Sequence, residues 1–369
     1  MLLERFSVQN YKNFKDEFVL NLADVRDYKF NKESTNDGVV KTGVIYGKNS
    51  VGKTNFGYAI FDITYHIVDK MRMVEPSQYY VNADSSEDAV SFSYSFIDEK
   101  KNRILYKYKK RGSFDIIWEY LTVNDEVWLD YDFIAKSGNL DGLKRLPELQ
   151  GLNLQFKDNG MSFIRFLANN SSLPVDNPVV EIYQFVNKML WFKSIDGINN
   201  FIGFNANGDD ILNFVIRNDL IEELNSFLQE NGVDEKFVCE TTPDNKKVLY
   251  FKHKTLLPYS LASSGTKALI LFFYWYKQIS LASFVFIDEF DAFYHFELAE
   301  KVLKLAMKAK AQVFLTSHNT NLLSNKIMRP DCYFILTKEK LTSFANATAR
   351  ELREGHNLEK LFISGEFDG

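Results

Sequence analysis

Cysteine is scarce in this chain of 369 residues: there are two, Cys239 and Cys332. They stand in no metal-binding spacing and are too few for a disulfide framework, the pattern of a reducing compartment. Long apolar runs are missing as well, and none approaches the length that crosses a bilayer. The N-terminus shows no basic-then-apolar leader, so a cytoplasmic location is expected and no membrane partner. Nor is positive charge in excess. A formal net charge of −5 does not advertise nucleic-acid binding, and a local basic patch stays open. Internal repeats, low-complexity tracts and sustained heptads are absent, so neither a solenoid nor a long coiled-coil arm is expected.

What is present is the composition of an ordinary folded protein, 46% hydrophobic and 25% charged. The length allows a large core and more than one lobe. Aromatic residues are plentiful, with 33 Phe and 19 Tyr, and most are assigned to that core.

One stretch organises the rest: Gly47-Lys48-Asn49-Ser50-Val51-Gly52-Lys53-Thr54, which reads GxxxxGK[ST]. The apolar run Thr42 to Tyr46 precedes it as a strand, and Asn55 to Val68 follows with helical spacing. Strand, glycine-rich turn and helix N-terminus are the parts a phosphate-binding loop needs. Glycines let backbone amides turn toward phosphates, and the helix dipole adds positive potential there. Gly47, Asn49, Ser50, Gly52, Lys53 and Thr54 are therefore the candidate nucleotide-binding residues. Lys53 would reach the β- and γ-phosphates, and the Thr54 hydroxyl would ligate Mg²⁺. The competing reading is a plain glycine turn at a strand end, which the flanking strand and helix disfavour.

In chain order, Leu2 to Val8 and Phe14 to Leu22 alternate as strands before the loop. Ala89 to Phe96, Arg103 to Lys109, Phe114 to Leu121 and Glu126 to Tyr131 then form an antiparallel meander. Helical periods follow, best at Val179 to Phe192 and Asp210 to Glu230. A strand pair at Lys236 to Glu240 and Lys247 to Lys252 leads to a helix at Gly265 to Tyr276. The remainder alternates in the α/β manner, with strands at Ser283 to Ile287, Gln312 to Thr316, Cys332 to Leu336 and Leu341 to Phe344, and a helix at Glu297 to Lys310. The nucleotide-binding domain is thus expected in two pieces, 1–70 and 256–369. Between them, 71–255 is expected as an inserted lobe, strand-rich over 89–131 and helical over 132–232.

A second cluster of chemistry lies at Phe284-Val285-Phe286-Ile287-Asp288-Glu289, four apolar residues ending in two carboxylates. Buried central strands of α/β sheets read this way, with ligands at their C-terminal ends. Asp288 would hold a hydrated Mg²⁺, and Glu289 could serve as general base toward the attacking water. Ser263-Ser264-Gly265-Thr266 precedes a helix and offers either a second anion site or only a capping turn. His318, after the next strand, could contact a γ-phosphate, although a histidine at a strand end is otherwise most often structural.

The order of these motifs resembles the heads of ABC-type ATPases, and most of all the RecF-like and overcoming-lysogenization-defect-like branch, often named simply AAA family ATPase. Phe6-Ser7-Val8-Gln9-Asn10-Tyr11-Lys12-Asn13-Phe14, Asp288-Glu289-Phe290-Asp291 with His295, Arg329-Pro330-Asp331 and the tail from Asn357 carry the likeness. Met71 to Lys254 is largely unmatched. The resemblance implies an α/β fold: an ABC-type P-loop head with an N-terminal antiparallel β subdomain and an inserted β-then-α lobe. It also implies two heads paired head-to-tail around ATP and Mg²⁺. Ser263, Ser264 and Gly265 would then complete the partner's site, Asp291 would lie in the D-loop and His318 would be the switch histidine. Ser264 departs from the usual glycine, Tyr294 and Phe296 from the usual leucine and proline. The Q-loop has only Gln78 as a candidate.

The function implied is an ATP-hydrolysing switch, a homodimer or higher oligomer, controlling a protein effector in prokaryotic antiphage defence or a toxin–antitoxin-like pair. The alternatives are a DNA-binding repair ATPase of RecF type and a weakly hydrolysing scaffold that sequesters a protein. The basic stretch Arg103, Lys107, Lys109, Lys110 and Arg111, interleaved with Tyr106 and Tyr108, keeps nucleic acid open as a partner, but a solvated, lysine-protected hairpin edge is preferred. Asp98-Glu99-Lys100-Lys101 lacks a partner carboxylate for nuclease chemistry, and His356 is read as structural.

Overall fold

A computed structural model describes residues 1–70, 79–112, 114–154, 160–193, 201–203, 211–252 and 256–367. β1 (Leu2–Gln9) and β2 (Phe18–Asn21) form a hairpin, and β3 (Thr35–Asn36) with β4 (Val39–Val40) a short ribbon. β5 (Thr42–Tyr46), buried throughout, leads through the glycine loop into α1 (Lys53–Val68). A meander follows: β6 (Val90–Ile97), β7 (Arg103–Lys110), β8 (Ile116–Val123), β9 (Glu126–Asp132) and β10 (Ser137–Asn139). Next come α2 (Asp141–Lys144), α3 (Phe163–Asn170), α4 (Pro178–Asn187), β11 (Leu190–Lys193), β12 (Phe201–Gly203), α5 (Ile211–Arg217) and α6 (Ile221–Glu230). β13 (Phe237–Thr241), β14 (Lys247–Lys252) and β15 (Leu256–Pro258) precede α7 (Ser264–Ile279). The chain closes with β16 (Phe284–Asp288), α8 (Phe296–Met307), β17 (Gln312–Ser317), β18 (Tyr333–Leu336), β19 (Leu341–Ser343) and α9 (Leu358–Ile363).

Among the described residues two seven-stranded sheets dominate. One is antiparallel, ordered β10-β9-β8-β7-β6-β1-β2. The other, β12-β11-β16-β17-β5-β18-β19, is parallel at its centre with antiparallel edges. The fold is therefore mixed α/β with an antiparallel sheet at its N-terminus. Its parallel strands β5, β16 and β17 are buried at every position, as strands covered on both faces must be.

α1 is the layer between the sheets, which explains why it is apolar nearly all round. Phe56 meets Phe6 of the antiparallel sheet at 5.8 Å between ring centroids, while Phe61 meets Phe284 of the parallel sheet at 6.1 Å. Gly57 sets the second approach: a Cβ there would stand 2.8 Å from both Phe286 Cε1 and Trp191 Nε1. Gly57→Val should accordingly cost about 1–3 kcal/mol through overpacking. Denaturant midpoints check this, and an unchanged midpoint would show that α1 can ride off the sheet.

Buried polar side chains fasten α1 to the antiparallel sheet. Asp62 pairs with Lys110 at 2.7 Å and accepts hydrogen bonds from Tyr80 (2.7 Å) and Tyr108 (2.9 Å). His66 lies 3.0 Å from Glu119, whose other oxygen accepts from the Phe163 amide at 2.7 Å. Such charges are tolerated inside only because each is paired. This corrects the expected solvated hairpin edge. β7 is paired on both sides, by β6 and β8; Lys110 is fully buried, and Tyr106 and Tyr108 face the core. Lys107 and Lys109 do point outward, opposite Tyr120 and Trp118 of β8.

Two helical expectations also change. The period read over Val179 to Phe192 ends as helix at Asn187, and Leu190–Lys193 becomes a strand parallel to β16. The helix expected from Asp210, which lies outside the described residues, to Glu230 is two helices, broken at Asp219 with a left-handed φ of 53°. The expected insertion 71–255 supplies strands to both large sheets, since β6–β10 extend the sheet begun by β1 and β2, and β11 and β12 border the parallel one. No described helix is long and apolar enough to cross a membrane.

Candidate functional site

The glycine loop is shaped by its neighbours. Gly52, at φ 105°, occupies the cap position of α1, where a Cβ would fall 2.4 Å from Asn13 Nδ2. A Cβ on Gly47 would fall 2.7 Å from the Leu336 carbonyl oxygen. Both glycines of the motif are thus required by packing as well as by left-handed backbone at one of them. Ser50 is also left-handed, at φ 63°. Lys53 opens α1, and its ammonium folds back to donate to the carbonyls of Gly47 (2.8 Å) and Lys48 (3.2 Å). Burial pulls it below the usual lysine range, while Asp288 and Glu289 hold it up.

β16 brings the acidic residues to the same place. Thr54 donates its hydroxyl to Asp288 Oδ2 at 2.7 Å, and Thr316 donates to Oδ1 at 2.7 Å. The Thr316 hydroxyl in turn accepts from the Glu289 amide at 2.7 Å. Burial pushes the Asp288 carboxyl up, and the two threonine hydroxyls and Lys193 draw it back. Glu289 has a left-handed backbone, φ 49°, on the turn after the strand. Lys193 Nζ stands 3.5 Å from its Oε2. His318 follows β17, and burial together with the charge of Lys53 holds its imidazole below the usual range, so the ring is neutral at neutral pH.

The result is one cleft of about 270 Å³. Asn49, Ser50, Gly52, Lys53, Thr54, Glu289 and His318 line it, and Asn13 and Asn55 join them. It lies at the C-terminal ends of β5, β16 and β17, where parallel sheets place ligands. A larger cavity, about 1030 Å³, opens beside Met1, Lys70, Glu181 and Ser283. Ser283 precedes β16, so that cavity lies at the opposite end of the strands and away from this chemistry.

Ser263, Ser264 and Gly265 do not line this cleft. Ser263 caps α7, accepting from the Thr266 amide at 3.1 Å and bonding its hydroxyl at 2.8 Å. Gly265 has space: a Cβ would meet nothing nearer than the Phe293 carbonyl oxygen at 3.5 Å. Around this helix start, Leu261, Phe293 and Phe296 are exposed. Asp291 accepts from the Ser317 hydroxyl. His295 caps α8, its Nδ1 accepting from the Leu298 amide at 3.3 Å, and His356 accepts from the Arg353 amide at 3.0 Å. Gln78 lies outside the described residues.

Four side chains here are not among the site residues that the sequence suggests. Asn55 lines the cleft, and Thr316 bonds Asp288. Asn13, from the first hairpin, lines it too, donating to the Val51 carbonyl at 3.2 Å and accepting from Asn55 at 2.7 Å. Lys193, just beyond an expected helix, does not line the cleft but reaches Glu289 through the pairing of β11 with β16.

A family model described as "AAA domain, putative AbiEii toxin, Type IV TA system" matches residues 44–324. No curated protein sequence matches the chain. Similar solved structures include an SMC head domain from Thermotoga maritima, with 14% identity, 93% of this chain and 99% of that one covered, and a TM-score of 0.43. The Smc head domain with an extended coiled coil bound to the C-terminal domain of ScpA, derived from Pyrococcus furiosus, has 11% identity, coverage of 93% and 96%, and a TM-score of 0.47. The recombination mediator protein RecF with ATP has 14% identity, coverage of 92% and 98%, and a TM-score of 0.42.

Proposed function

This chain belongs to the AAA domain family whose model spans residues 44–324, and on that premise we propose that it binds and hydrolyses ATP as a switch that pairs head-to-tail. The observation that carries the reading is the Thr54–Asp288 hydrogen bond, which joins the phosphate loop to the acidic strand in the cleft that also holds Lys53, Glu289 and His318. A hydroxyl and one carboxylate are too few ligands for a resident metal, and they suit a Mg²⁺ that keeps waters and arrives on phosphates. Thr54 and Asp288 would hold that cation. Lys53 would exchange its loop carbonyls for phosphate oxygens. Glu289 would take a proton from water as the water oxygen bonds to the γ-phosphorus and the bond to the bridging oxygen breaks, leaving ADP and phosphate. Neutral His318 is suited to donate toward the γ-phosphate. In this reading the nucleotide unit draws its loop from 1–70 and its acidic strand from 256–369, with β11 of the insertion completing it.

The second half of the proposal is that Ser263, Ser264 and Gly265 serve the nucleotide of another copy. Its support is that among the described residues nothing crowds a Cβ at Gly265, whose nearest neighbour would be the carbonyl oxygen of exposed Phe293, and that Leu261, just before this helix, is exposed as well. Such a pair would control a protein effector, in cytoplasmic antiphage defence or a toxin–antitoxin-like pair; the family's description, which names a putative toxin and a type IV TA system, supports the second setting alone.

Mixing two inactive variants tests this. Lys53→Ala and Gly265→Asp should each be inactive alone, and Gly265→Asp should still bind ATP. In a mixed dimer one composite site carries both lesions and the other carries neither, so ATP hydrolysis returns in part. The structure has room for the aspartate, and its charge beside phosphates is repelled strongly in a poorly hydrated site. Full activity of Gly265→Asp alone would remove the shared-site reading.

A further inference from the structure

The strand beside the acidic strand carries a cation at Lys193. β11 runs parallel to β16 with Lys193 in register with Asp288. Strand alternation decides where that lysine points. Trp191, two residues earlier, packs on α1 against Tyr58 at 5.0 Å between centroids, whereas Phe192 faces α7 through Trp275 at 5.5 Å. Lys193 therefore shares the α1 side with Trp191, the side on which Asp288 meets Thr54. Its ammonium stands 3.5 Å from Glu289 Oε2, and the two side chains are only 20% and 30% exposed.

Among the described residues Lys193 is the one ion-pair partner of the Glu289 carboxylate. The turn carrying Glu289 is tied through its backbone, by its amide to Thr316 Oγ1 and by the Phe290 amide to the Thr316 carbonyl, neither of which aims the side chain. Lys193 does not itself line the cleft, so it acts on the carboxylate rather than on phosphates.

We propose that Lys193 is a positioning residue for hydrolysis, aiming the Glu289 carboxylate at the place where the attacking water must stand. The inference rests on the reading of Glu289 as general base. A base must lie within hydrogen-bond reach of the proton it takes, and a displacement of about 1 Å can cost about 100-fold in rate.

The test uses the full chain with Mg²⁺ and ATP, following phosphate release and, separately, ATP binding by calorimetry. Lys193→Met should lower kcat by about 10- to 100-fold and leave the Kd for ATP unchanged. Lys193→Arg, which keeps the cation, should restore most of the rate and guards against a mere folding defect. In a Glu289→Gln background Lys193→Met should add no further loss, because the two residues act as one unit. Wild-type kcat in Lys193→Met would overturn the assignment. So would a loss of ATP affinity matching the loss of rate, which would put the ammonium on the nucleotide, or a failure of Lys193→Arg to rescue. A wild-type chain that binds ATP without turning it over would remove the base itself, and that outcome is visible before any variant is made.

Discussion

Lys53→Ala loses both ATP affinity and ATP turnover. An ammonium bonded to phosphate oxygens in a half-dry cleft contributes about 1.5–3 kcal/mol, so the Kd should rise about 10- to 100-fold. The same charge would neutralise the γ-phosphoryl group as it departs, and loss of one such preorganised donor costs about 10²–10³ in kcat. Lys53 already faces the loop, donating to the Gly47 and Lys48 carbonyls, so no rearrangement of α1 is needed for it to turn onto a ligand. Its departure leaves those carbonyl oxygens directed at an anion, which adds repulsion to the lost attraction. Calorimetry with ATP and a phosphate-release assay check both numbers. Undiminished turnover would remove the nucleotide assignment.

Glu289→Gln separates chemistry from binding. The amide keeps the shape of the side chain and can still accept from Lys193, but it has no basicity, and a general base supplies about 10²–10⁴ in rate. ATP affinity should hold because Lys53, Thr54 and the loop are untouched. A switch that closes on ATP and opens on hydrolysis is then held closed, so sedimentation should show ATP-dependent association that persists. Rapid hydrolysis by this variant would shift the role of base to another group. Absence of association with ATP bound would count against the paired head.

Much of this site was readable along the chain because its chemistry is local. A glycine needed for left-handed backbone, a lysine at the first turn of a helix and a hydroxyl beside it have a fixed spacing, since one turn and one helix start make them neighbours. Four apolar residues ending in two acids likewise report a buried strand with its polar end at the sheet's rim. Asn49, Ser50, Gly52, Lys53, Thr54, Glu289 and His318 all line one cleft in the folded chain.

Where pairing across the sheet intervenes, the local pattern misleads. Leu190–Lys193 is apolar enough to continue a helix, and four residues are too short to announce a strand; the vacant side of β16 decides its state and, through the pleat, the direction of Lys193. Lys110 looks like a solvated edge charge until α1 sets Asp62 against it, and Tyr106 and Tyr108 look available until α1 covers that face. Ser263 is a cap, one of the two readings its tetrapeptide offered, and Gly265 has spare room, which the tetrapeptide could not say. The sequence by itself determined the backbone turns, the buried runs and the residues that gather at the cleft, because these depend on neighbours a few positions away. Which charges are buried, which are paired and which face the cleft depended on strands up to hundreds of residues apart, so only the tertiary structure could decide them.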